Sequence, residues 1–259
     1  MGWRIGLMLT CLGGFSGSAA AHYNMLLPQT ATAKKGEALT FTYQWGHPFE
    51  HQLFDAPSPQ SLIVLEPDGK KAELKELLKK TTRKGEVREV TAYQLPFTPS
   101  QRGDHVFILR TPPIWMEEDG EFVQDSVKVI LHVQAQKGWD AVASDDFELL
   151  PLTRPYGLRP GMVFQAQIHP PAKDPHKHAG TLVEIERYNE TPPAQLPADE
   201  HITRTVKTDP NGVATTTLTE PGWWCLTAAK SGGTRMRDGK AYLVRQRCTL
   251  WVFVDEPAR

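Results

Sequence analysis

The sequence predicts an all-β protein built as two tandem β-sandwich domains, and three observations carry that prediction. Apolar and polar residues alternate with a period of two through most of the chain. Explicit turn signals punctuate the short runs, and only one short segment has helical spacing.

In residues 38–45 one face carries Leu39, Phe41, Tyr43 and Trp45. Residues 61–66 lead into Pro67-Asp68-Gly69-Lys70, where proline presets φ and glycine accepts a positive one. Further strands are expected over 89–95, 105–109 and 126–133; in the last, Val127, Val129, Leu131 and Val133 share a face. Residues 72–80 look helical but are short and heavily charged, so they are assigned to a surface excursion such as an edge hairpin. Residues 138–146 read as a linker. Beyond them the pattern restarts, with strands at 162–168, 181–187, 202–207, 214–218, 222–229 and 242–254 and a strong turn at Thr208-Asp209-Pro210-Asn211-Gly212. That spacing predicts a second sandwich. The expected layout is a leader at 1–21, a first domain at 22–140 and a second at 141–259.

Met1-Gly2-Trp3-Arg4, the apolar run 5–15 and the small residues 16–21 have the order of a secretory signal peptide. The apolar run is shorter than the roughly 20 residues a membrane span needs, and no later run is that long. A periplasmic protein, not embedded in the membrane, is therefore expected. Ala19-x-Ala21 is the better cleavage site and makes His22 the first residue; cleavage after Ala20 leaves Ala21-His22. Cys11 lies inside the leader, and Met8-Leu9-Thr10 lacks the small residue expected before a lipidated cysteine. Cys225 and Cys248 remain, an even pair in an oxidising compartment, and predict a disulfide across the last hairpin. Antiparallel pairing centred near Ser231-Gly232-Gly233 and Asp238-Gly239 sets them opposite one another.

With a net charge of -1, the chain has no basic field to hold a phosphate backbone, which excludes nucleic acid as a partner. Gly-x-Ser-x-Gly and His-Glu-x-x-His do not occur. No catalytic residue is expected, and the protein is read as a non-enzyme.

The chemistry lies in nine histidines. His22 at a processed N-terminus offers an α-amine and a ring to one ion, and that amine, with a reference pKa of about 7.7–8.0, yields its proton readily. Gly46-His47-Pro48-Phe49-Glu50-His51 places two further imidazoles four residues apart, with Glu50 as an added oxygen donor or a partner orienting a ring. The plainer reading is that His47 and His51 hydrogen-bond a loop. A secondary site is expected at His169, His176 and His178, in a segment that reads equally as a solvated proline- and lysine-rich loop. His105, His132 and His201 lie in or beside strands and are read as ordinary surface or half-buried residues.

Several segments together resemble the DUF4198 family of exported proteins: Ala21-His22, Leu27-Pro28, 46–55, 151–161, 179–185, Thr208-Asp209-x-Asn211-Gly212 and Pro221-Gly222-Trp223-Trp224. The resemblance spans nearly the whole mature chain. It implies an Ig-like first domain, a second domain like carboxypeptidase regulatory modules, and a role as a periplasmic component of nickel or cobalt uptake. It also implies His22, His47 and His51 as ligands and a membrane metal transporter as partner. Two departures stand out. Gln124-Asp125-Ser126 replaces the His-Tyr pair common before the last strand of the first domain, and the 169–178 loop replaces a short turn. Copper or zinc would suit the same nitrogen donors, copper outranking nickel and cobalt. A third reading needs no metal: tandem sandwiches that bind a partner protein or saccharide through Trp115, Trp139, Trp223 and Trp224.

Overall fold

The computed structural model describes residues 22–143, 147–169 and 178–257; the expected leader at 1–21 and His176 lie outside them. Eighteen strands follow in chain order. The first nine are β1 (Tyr23–Pro28), β2 (Thr32–Ala33), β3 (Leu39–His47), β4 (Gln52–Phe54), β5 (Ser61–Leu65), β6 (Lys71–Glu73), β7 (Lys79–Lys84), β8 (Glu89–Phe97) and β9 (Gly103–Arg110). Next come β10 (Ile114–Met116), β11 (Glu121–Val133), β12 (Glu148–Pro151), β13 (Val163–His169) and β14 (Leu182–Arg187). After one helical turn, Asp199–Ile202, the chain ends in β15 (Arg204–Lys207), β16 (Val213–Thr217), β17 (Gly222–Arg237) and β18 (Lys240–Val254).

These strands build three stacked sheets. A central sheet runs β15-β14-β17-β18-β11-β9-β5-β6, and strands β1-β3-β8-β7 and β12-β13-β16 form a sheet on either side of it. The central sheet draws strands from both halves of the chain, joined by parallel pairing of β11 with β18 from Phe122↔Val244 to Val129↔Trp251. Alternation explains how one sheet serves two cores. Val127, Val129, Leu131, Trp251 and Cys225 face the sheet containing β1 and β3. Ile130, Leu250, Val252, Leu226 and Cys248 face the sheet containing β12 and β13. A buried ion pair lies at the second core: Lys128 Nζ lies 2.9 Å from Glu148 Oε2, both side chains buried, and Lys128 also donates to the Ala141 carbonyl at 3.1 Å.

The charged segment around 72–80 is an edge excursion. It comprises β6, a 3₁₀ turn at Lys75–Leu77 and the start of β7, whose lysines suit an unpaired sheet edge.

The expected disulfide requires correction. Cys225 and Cys248 are both free and buried. The last hairpin turns at Asp238-Gly239, later than the bridge needs, so Cys225 pairs with Trp251 and Cys248 with Ala228. An offset of three residues on a pleated strand puts the two thiols on opposite faces of the sheet.

Candidate metal centre

Strand register brings His22 to the glycine–histidine turn. Tyr23 pairs with Gly46 and Asn24 with Trp45, so one further step sets His22 against His47. Their ring centroids are 4.6 Å apart. Gly46 makes the crossing: its φ is +152°, and a Cβ there would lie 2.0 Å from the Gln52 carbonyl oxygen. Phe54 closes the cluster at 4.9 Å from the His22 ring and 5.5 Å from the His47 ring, and Trp45 lies 5.3 Å from His22.

His51 goes elsewhere. It stands at φ +53° in the turn between β3 and β4, with Nδ1 donating to the Asn189 carbonyl at 2.8 Å and its ring against Tyr188. The rest of that turn is fastened to the same place. The Phe49 amide donates to Glu186 at 3.1 Å, Asn189 Nδ2 donates to the Phe49 carbonyl at 2.6 Å, and the Asn189 amide donates to the Pro48 carbonyl at 3.0 Å. Glu50 is half-buried, with Oε2 out of solvent and lacking a hydrogen-bond partner. Two of the three expected imidazoles therefore meet, and the third anchors the turn. Among the described residues no three His, Cys, Asp or Glu side chains converge as a metal-binding group.

The electrostatics favour neutral rings. Burial, then the neighbouring His47 and Arg247, lowers the His22 pKa to about 4, and burial also lowers that of His47. A neutral imidazole offers a lone pair. His47 Nε2 is buried and makes no hydrogen bond, an expense that a bound cation would remove.

Beneath the rings a polar chain fixes the position of His22. Arg247 donates to the His22 carbonyl and grips Asp125 twice, at 2.6 and 2.7 Å. Asn24 Nδ2 donates to Asp125 at 2.5 Å, and Tyr43 donates to Asn24 Oδ1 at 2.7 Å. Burial opposes the Arg247 charge, but the adjacent Asp125 more than offsets it and the pKa rises. Sequence reading missed this clamp. Its signal was Asp125 standing on the same face as Val127, Val129 and Leu131, an inward charge that needs a buried partner.

At the expected secondary site, His169 ends β13 opposite Glu148. His178 is buried with its ring 5.4 Å from Phe147.

The site is thus a pair of half-buried imidazoles at the mouth of a β-sandwich, presented by the first strand and a glycine turn. The family model described as "Domain of unknown function (DUF4198)" matches residues 19–232, and the chain belongs to that family. No curated protein matches the sequence. Among solved structures, the D0-D1 domain of intimin is 14% identical, with 90% of this chain and 100% of that one covered and a TM-score of 0.23. Native E. coli alpha-2-macroglobulin is 13% identical over 91% of this chain and 14% of its own, with a TM-score of 0.24. The titin domains z1z2 are 13% identical over 92% and 98%, with a TM-score of 0.21. None of these likenesses bears on function.

Proposed function

We propose that this protein is a periplasmic carrier of nickel or cobalt that serves a membrane uptake system, its ion held at His22 and His47. On this reading the leader is removed after Ala21, and the new α-amine joins the His22 ring and His47 Nε2 as a third nitrogen donor. The observation that carries it is the meeting of the His22 and His47 rings at 4.6 Å, imposed by the register of β1 on β3. The residues fit such an ion: both imidazoles are held neutral, and the His47 nitrogen is buried without a partner. Glu50 sits one turn away as an oxygen donor or counter-charge. The reading assigns binding and delivery, not catalysis. Among the described residues, no helix is long and apolar enough to cross a membrane. The partner on this reading is a membrane metal transporter.

A second reading, copper, is favoured by the donor count. Three nitrogens, one an α-amine, form a small set that copper(II) occupies more tightly than nickel or cobalt.

Calorimetric titration of the mature chain with nickel, cobalt and copper tests both. His22→Ala and His47→Ala are expected to abolish tight binding, whereas His51→Ala lowers affinity only about tenfold, because His51 orients the turn and does not touch the ion. Wild-type affinity in His47→Ala removes the site.

A further inference from the structure

The last two strands outrun the sheet that holds them. β14 pairs with β17 only from Arg187↔Trp224 to Val183↔Ala228, and β11 pairs with β18 only from Phe122↔Val244 to Val129↔Trp251. Beyond those limits β17 and β18 continue as a two-stranded arm to Arg237↔Lys240. Among the described residues no strand lies against the outer edge of β17 along this arm. Its backbone N–H and C=O groups there are open to a further strand. A bulge sets Gly232 and Gly233 against Val244 and shifts the register between Ser231 and Thr234, which confines the regular edge to Thr234–Arg237.

Pleating gives the arm two unlike faces. Thr234 and Met236 share one with Ala241 and Leu243, and Met236 and Leu243 are 63% and 60% exposed. Arg235 and Arg237 share the other with Lys240 and Tyr242. There the cations lie on an aromatic bed. Arg237 is 4.2 Å from the Trp115 ring and Arg235 5.5 Å from the Phe122 ring, while Trp115 packs on Phe122 and Tyr242 at 5.1 and 4.7 Å. These contacts fasten the arm to β10 and β11, so a partner meets an ordered edge.

We propose that the Thr234–Arg237 edge takes up an extended segment of a partner protein as an added strand, one in which acidic and apolar residues alternate. Main-chain hydrogen bonds to β17 supply affinity, as in other strand additions. The pleat sets the acidic residues beside Arg235 and Arg237 and the apolar ones beside Met236. Charge selects against a second copy of this chain. Two-fold antiparallel pairing keeps each face on its own side, so pairing centred on Met236 sets Arg235 against Arg237, and like charges facing across strands destabilise the pair. The inference needs no bound metal and stands apart from the reading above.

Fluorescence anisotropy of the mature protein with a labelled hexapeptide alternating glutamate and valine tests the proposal. Saturable binding is expected, weakened about tenfold or more when the peptide nitrogens are methylated and the strand hydrogen bonds are lost. Arg235→Glu should weaken it about tenfold as well, and a hexapeptide alternating lysine and valine should not bind. No binding of the glutamate peptide, or equal binding after methylation, overturns the added strand. Sedimentation as a dimer that the glutamate peptide disperses would also overturn it, because a second copy then occupies the edge.

Discussion

Asp125 and Arg247 show how a single buried charge pair can position a side chain it never touches. Arg247 holds the His22 carbonyl, so the pair helps fix where His22 meets His47. Asp125→Asn keeps the shape but weakens the grip, and nickel affinity is expected to fall about tenfold, as for other residues that orient a ligand. Calorimetry checks this, and circular dichroism should confirm an unchanged fold. Glu186 makes a different prediction. Burial raises its pKa to about 7, against hydrogen bonds from Thr203 and the Phe49 amide that favour the ionised form. The native state therefore keeps a proton that the unfolded chain has released. That contribution is fully present below pH 4.5 and is lost as pH rises through about 7, a swing of roughly 3 kcal/mol. Urea denaturation of wild type and Glu186→Gln across that range should show the slope in the first and a flatter profile in the second.

At the scale of strands and turns, Gly46 is the position where the site and the fold depend on the same atom. Any side chain there strikes the Gln52 carbonyl and is strained at φ +152°. Gly46→Ala is expected to cost about 3 kcal/mol in urea denaturation and to part His22 from His47. Most strands were legible from alternation: the expected 38–45, 126–133 and 242–254 correspond to β3, β11 and β18. The first strand was not, because Tyr23–Pro28 is buried on both faces and therefore shows no alternation. The cysteine pairing also failed for a local reason. The expected pairing was centred between the two glycine-rich stretches, whereas the hairpin turns at Asp238-Gly239, and the resulting three-residue shift in register is odd. The histidine cluster was half legible. Spacing drew attention to His47 and His51, but only register shows that His22 meets the first, and only the Asn189 contact shows where the second is spent. The thiol assignment is itself testable: titration of the mature chain should reveal no reactive cysteine when folded and two when denatured.

The molecule as a whole is organised by a shared central sheet. Parallel pairing of β11 with β18 joins the first half to the last strand, and the buried Lys128–Glu148 pair ties β12 to the same sheet. Removing one partner strands the other charge, so Glu148→Gln is expected to cost about 3–5 kcal/mol, read from its denaturation midpoint. On the proposed reading, the ion is held at a chain start made by removal of the leader, so the site depends on that cleavage. The most direct test is to measure nickel binding by the chain that starts at His22 beside one carrying a single extra alanine before it. The account predicts roughly 100-fold weaker binding for the extended chain, because the α-amine no longer chelates together with the ring. Equal affinities would contradict it.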